Sequence, residues 1–126
     1  MVKRYFDVNV FIYFLTKHPK YFERSKNWFE TTDEIYTSEL TIFEIIILLS
    51  KLTKEKPEEV FVHVMSFFND LGIRFVHLET NELMKIVEVE SKYKLDFEDS
   101  FHFYLAEKVG ELISNDKKLM KLGAKF

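Results

Sequence analysis

The chain has 126 residues, a length that fits one domain, residues 1–126, around an ordinary core. It has no cysteine, which excludes disulfides, Cys-ligated zinc and thiol catalysis. The formal net charge of −3 argues against broad nonspecific nucleic-acid binding, although a nuclease whose own site supplies many of the acids escapes that argument. Lys3 and Arg4 precede only a short apolar run, broken by Asp7 and Asn9, so no signal peptide is read. No apolar run approaches transmembrane length, and a soluble cytoplasmic protein is expected. Phenylalanine is abundant (14) while glycine and proline are scarce (3 and 2), which predicts compact helices and more apolar surface than one small core hides.

In chain order, residues 3–7 read as a strand and 8–17 as a helix that Pro19 stops. Residues 20–30 carry apolar groups at helical spacing, Thr31-Thr32-Asp33 is a turn, and Glu34 to Thr37 is a short strand. Residues 38–52 are apolar on nearly every side, and their length favours a helix buried on several faces over a strand. Pro57 opens a further helix with the stripe Val60, Phe61, Val64, Met65, Phe68 and Leu71, and Gly72 ends it. Ile73 to His77 is a third strand. Thr80 caps a helix to about Tyr93, and Asp96 caps the next, which Gly110 closes. Leu112-Ile113-Ser114 is a fourth strand, Lys117 to Leu122 a short helix, and Ala124 to Phe126 the stub of a fifth strand.

Strands alternating with helices predict an α/β fold: a three-layer α/β/α sandwich with a mostly parallel four- or five-stranded sheet. Ligands bind such sheets at the carboxyl edge. Asp7 follows the first strand, and Glu44 lies early in the helix after the second. Asp99 opens the helix leading into the fourth strand, and Asp116 follows that strand. All four therefore fall at one edge. Each also has a plain structural explanation. Asp7 suits a helix cap, Thr41-x-x-Glu44 a capping box, Asp96-x-x-Asp99 a capped and dipole-stabilised start, and Asn115-Asp116 a turn. Capping alone does not require all four to gather on one edge.

Gathered carboxylates repel: two unit charges ~4 Å apart cost about 4 kcal/mol at an effective dielectric near 20. Either some protonate or a cation neutralises them. An all-oxygen set with Asn9 and Ser114 beside it suits Mg²⁺ or Mn²⁺ better than zinc.

The D-x-N after strand one, the T-x-x-E entering an apolar helix, E-D-S-F-H-F-Y-L-A and L-I-S-N-D-K-K-L together resemble the PIN domain, most closely the small VapC-type toxin ribonucleases. The similarity runs in order over nearly the whole chain. It implies a metal-dependent endoribonuclease that hydrolyses RNA phosphodiester bonds, using Mg²⁺ or Mn²⁺. Asp7, Glu44, Asp99 and Asp116 match the acidic quartet of that family, with Asp7 and Asp99 as direct metal ligands. Glu44 and Asp116 would bind metal through water, hold a second ion or orient the nucleophile. Asn9 and Ser114 match flanking polar positions, with Ser where Thr is commoner. Asp96 is assigned to the helix cap. The resemblance also implies a homodimer and a cognate VapB-type antitoxin.

His18, His63, His77 and His102 make no paired metal motif, and His102 is read as a partly exposed structural histidine. Lys117 and Lys118 offer contacts to RNA phosphate, and Arg24 and Lys26 flank another approach, although a solvated helix face is the favoured reading of each. Trp28, Phe29, Phe61, Phe67 and Phe68 read as packing or interface residues, and Ile45 to Leu49 as a dimer contact. Two other functions stay open. One is a non-catalytic PIN-like module binding RNA or protein. The other is a phosphoreceiver-type domain, disfavoured because two of the acids sit inside helices.

Overall fold

Four strands pair in parallel in the order β3-β2-β1-β4 in the computed structural model, which describes residues 1–126. They are β1 (Lys3–Phe6), β2 (Glu34–Thr37), β3 (Arg74–Phe75) and β4 (Glu111–Ile113). Lys125 adds a parallel bridge to Ile113, which is the expected fifth-strand stub reduced to a single pairing. Seven helices cover the sheet: α1 (Val8–Leu15), α2 (Phe22–Glu30), α3 (Glu39–Thr53), α4 (Pro57–Asp70), α5 (Leu83–Tyr93), α6 (Phe97–Glu107) and α7 (Lys117–Lys121). No helix is long and apolar enough to cross a membrane.

Strand alternation decides which helices lie on which face. Neighbouring residues of a strand point to opposite sides, so Phe6 and Ile113 face one layer while Tyr5 and Leu112 face the other. On the first side Phe6 and Ile113 join Val10, Phe11, Phe29, Ile45, Val64 and Phe68 from α1 to α4. On the second, Tyr5 and Leu112 join Leu95, Leu105, Ala106 and Leu119. Each fully buried large apolar side chain contributes about 1.5–3 kcal/mol of transfer free energy.

Helix boundaries follow local chemistry. Pro57 sits in the first turn of α4, where its missing N–H is no loss. Val60, Val64 and Phe68 recur every four residues and form the buried stripe. After Leu71 the chain needs a left-handed residue, and Gly72 supplies it at φ 64°. At Gly110 a Cβ would stand 3.2 Å from the Lys3 carbonyl, so the missing side chain lets the chain enter β4 close against β1.

Several boundaries differ from the sequence expectation by a residue or two, as where β1 ends at Phe6 and α1 at Leu15, and two differ in kind. Thr80 does not cap α5. A 3-10 turn, Thr80–Glu82, comes first, and Glu79 and Glu82 form a reciprocal capping box one residue earlier. The third strand is shorter than Ile73 to His77, because β3 is an edge strand paired only with the end of β2. The chain stays extended a little further, with Val76 N donating to the Thr37 carbonyl at 2.8 Å.

Candidate active site

The carboxyl ends of β1 and β4 meet side by side. Asp7 N donates to the Ile113 carbonyl at 3.0 Å, so the residues that leave the two strands, Asp7 and Ser114, become neighbours. Ser114 Oγ donates to Asp7 Oδ2 at 2.8 Å, and Val8 N donates to Oδ1 at 2.7 Å. Asp7 is thus the α1 cap and a buried carboxylate, 4% exposed, at the sheet edge. Capping and convergence are one feature here. Ser114 Oγ also accepts from Asp116 N at 3.1 Å, and Asp116 Oδ1 accepts from Leu119 N to cap α7. Asn9 is half-buried in the first turn of α1.

Asp99 enters from the second layer. Asp96 caps α6 by accepting from Asp99 N at 2.8 Å, as its assignment to the cap requires. That bond sets Asp99 in the first turn, facing the strand ends. Burial pushes the Asp99 carboxyl up to about 7, and the charges of Asp116, Asp96 and Asp7 add to the rise. The start of a helix ordinarily favours a carboxylate, so burial and the crowding of like charges together outweigh the dipole here.

Glu44 reaches the site by a different route from the one its spacing implied. There is no Thr41-x-x-Glu44 capping box. Helix α3 begins at Glu39, and Thr41 Oγ1 accepts from Thr37 Oγ1 at 2.8 Å. Glu44, one turn further in, is free to point across the edge. Its Oε1 lies 2.7 Å from His102 Nε2.

His102 is the largest correction to the sequence reading. It is 1% exposed and sits at the centre of the site. Its Nε2 stands 3.7 Å from Asp7 Oδ1 in addition to the Glu44 bond. Its Nδ1 lies 2.7 Å from the Tyr5 hydroxyl, which also meets Ser38 Oγ at 2.8 Å. Burial lowers the imidazole pKa, but Asp7, Glu44 and Asp99 more than offset it and hold the group above its ordinary value. Glu98, absent from the sequence reading, is raised by the neighbouring Glu44 carboxylate. Signals for two of the missed residues were present. His102 lies one turn after Asp99 on the same helix face, and Tyr5 shares the Asp7 side of β1 by alternation.

Lys117 and Lys118 are exposed at the start of α7, beside Asp116. Arg24 does not serve an approach to the acids: its guanidinium bonds the Phe126 carbonyl and lies 4.8 Å from that ring. A cavity of about 400 Å³ between α1, α3 and α4 is lined by Leu15, Leu49, Val60 and Val64 and contains none of the four acids.

The PIN domain family model matches residues 4–125, and the chain belongs to the PIN domain family. Among solved structures it is similar to VapBC2 from Rickettsia felis bound to a DNA fragment from their promoter. The identity is 16% and the TM-score 0.66, over 100% of this chain and 96% of the other. That likeness is one of fold. Among curated proteins none matches the chain.

Whether a divalent cation suits these residues is decided by their donors. Asp7, Asp99 and Asp116 offer hard carboxylate oxygens, and the Ser114 hydroxyl bonds Asp7 and the Asp116 backbone. Burial and the charges of Asp116, Asp96 and Asp7 raise Asp99, and His102 offsets only part of that rise. In charge and donor chemistry the set fits Mg²⁺ or Mn²⁺. No three of the side chains stand ready-gathered around one point, so the carboxylates are more widely spaced than a closed ligand set.

Proposed function

We propose that the chain is a Mg²⁺- or Mn²⁺-dependent endoribonuclease that hydrolyses RNA phosphodiester bonds, and that it acts as the toxin of a VapBC-type pair. The observation that carries this reading is the junction of β1 and β4 at the carboxyl edge of a PIN-family sheet, where Ser114 Oγ bonds both Asp7 and the Asp116 backbone, and where burial and the charges of Asp116, Asp96 and Asp7 raise Asp99. Capping explains where Asp7 and Asp116 sit. It does not explain why the fold tolerates the mutual repulsion of the acids.

Asp7 and Asp99 are the residues that hold the cation, with Asp116 beside them. When bound, such a cation lowers the pKa of water and offsets charge on the phosphate oxygens. The protein's own part is positioning. Ser114 Oγ and Val8 N fix both oxygens of Asp7, and Leu119 N fixes one oxygen of Asp116. Glu44 and Asp116 orient the water that attacks phosphorus, and Asn9 lines the approach. Lys117 and Lys118 bind RNA phosphates on either side of the cut.

A homodimer and a VapB-type antitoxin are the proposed partners, in a cytoplasmic setting. The outer face of α3 supports a partner: Phe43 and Ile47 are 62% and 55% exposed. The VapBC2 assembly offers a fold-level parallel.

The test is cleavage of a single-stranded RNA with Mg²⁺ or Mn²⁺, with EDTA, and with the variants Asp7→Asn and Asp99→Asn. Cleavage should require the cation and disappear in both variants. Cleavage that survives EDTA or both substitutions rejects the proposal. Absence of both cleavage and Mn²⁺ uptake by the native chain would favour a non-catalytic PIN-like binding module.

A further inference from the structure

His102 occupies a place that none of the acid assignments accounts for. It is buried between the two layers' contributions to the site, and it spends both ring nitrogens on the protein. Nε2 bonds Glu44 Oε1 at 2.7 Å, and Nδ1 bonds the Tyr5 hydroxyl at 2.7 Å. Tyr5 is a β1 residue, 0% exposed, and its hydroxyl is held again by Ser38 Oγ at the start of α3. The imidazole therefore ties the Glu44 carboxylate to the strand that carries Asp7. The neutral ring with its proton on Nε2 and the imidazolium both make both bonds, Nε2 donating to Glu44 in each and Nδ1 accepting from or donating to the Tyr5 hydroxyl, so the arrangement does not depend on the charge of the ring.

The four acids are consequently unequal. The Asp99 carboxylate takes no protein donor, and only one oxygen of Asp116 does. The bonds of Asp7 come from a hydroxyl and a backbone N–H, and each leaves its oxygen a second lone pair. Glu44 alone is hydrogen-bonded to a buried ring whose other nitrogen is anchored, Asp7 standing further off at 3.7 Å, and Glu98 crowds Glu44 as well.

We infer that His102 is a positioning residue that withholds Glu44 from the cation, so that cation binding falls on Asp7, Asp99 and Asp116 while Glu44 is kept as an orienting carboxylate. This rests on the cation-dependent reading proposed above. It deepens that reading: His102 is what keeps Glu44 in the orienting role, and Asp116 joins Asp7 and Asp99 on the cation.

The experiment is titration of the full chain with Mn²⁺ alone, read by calorimetry and by the loss of the free-ion paramagnetic signal. Thermal melting and near-ultraviolet dichroism verify folding of each variant. Asp99→Asn should weaken binding on the order of a hundredfold, through loss of a direct charge. Glu44→Gln should change affinity by no more than about fivefold, as expected for a charge kept off the ion. His102→Gln places an amide nitrogen where Nε2 stands and should bind Mn²⁺ like the native chain. His102→Asn keeps a polar group near Nδ1 but releases Glu44. It should bind Mn²⁺ more tightly, and the gain should vanish in His102→Asn combined with Glu44→Gln.

If Glu44→Gln weakens Mn²⁺ binding as much as Asp99→Asn, the inference is wrong and the cation reading stands. If His102→Gln tightens binding as His102→Asn does, loss of ring charge accounts for the effect and the inference is wrong. If the native chain takes up no Mn²⁺, or Asp99→Asn binds like it, the cation reading itself fails and the inference with it. Glu44→Gln preserves side-chain shape, so the result remains decisive even if a His102 variant does not fold.

Discussion

Ser114 Oγ donates to Asp7 Oδ2 at 2.8 Å, joining residues 107 positions apart in the chain. The bond closes the junction between the ends of β1 and β4, and the same oxygen accepts from Asp116 N. One small buried hydroxyl therefore organises two of the four acids. Ser114→Ala should cost about 1–3 kcal/mol, because it leaves a buried carboxylate oxygen and a backbone N–H without their partner. Urea unfolding of native and variant chains measures this. Mn²⁺ binding should weaken in parallel.

The Asp99 carboxyl gives a pH signature with a definite sign. Its ordinary value is 3.8 and the folded value about 7. Between these the native state keeps a proton that the unfolded chain releases, so stability falls as pH rises. The penalty is complete above about pH 7. Asp99→Asn removes it, so the variant's advantage in melting temperature over the native chain should be clearly smaller at pH 5 than at pH 8. Thermal melts at the two pH values check this. Added Mg²⁺ should raise the native melting temperature at pH 8 and leave Asp99→Asn unmoved.

His102→Leu should be among the most damaging single changes in the molecule. It strands Glu44 and removes the partner of the buried Tyr5 hydroxyl. Breaking a buried pair by deleting one partner costs about 3–5 kcal/mol. The folded imidazole titrates above its ordinary 6.5, so its contribution is full below that value and is lost as pH rises through the folded pKa. The stability gap between native and variant should therefore be wider at pH 6 than at pH 9. Urea denaturation at the two pH values measures it.

The exposed row Phe43 and Ile47 on α3 lies one helical turn apart, on a single face. If that face carries the homodimer, Phe43→Ser with Ile47→Ser should shift sedimentation from dimer to monomer without lowering the melting temperature of the fold by more than a few degrees. A dimer that persists in the double variant would place the contact elsewhere.

The order of strands and helices was legible because each leaves a local mark. Apolar runs, Pro57 and Gly72 delimit α4, and Asp96 announces α6. Asp7, Glu44, Asp99 and Asp116 were placed at one edge by topology alone, since a parallel sheet fixes which end each loop occupies. What sequence could not settle was the partner of each side chain. Thr41 and Glu44 have capping-box spacing, yet Thr41 turns to Thr37 and Glu44 to His102. Those partners lie on a neighbouring strand and a distant helix, and local periodicity carries no information about them. His102 was undervalued for the same reason: its burial follows from the packing of α6 on Tyr5, a contact between residues 97 positions apart. The Glu79–Glu82 box was missed because Thr80 is the commoner cap by residue type.

The most direct measurement is anomalous diffraction from crystals grown with Mn²⁺. A peak should lie within about 2.2 Å of carboxylate oxygens of Asp7 and Asp99. Asp116 should stand close by, and Glu44 should remain on His102. No peak at the carboxyl edge, or one bound by other residues with these acids untouched, would contradict the assignment of the site.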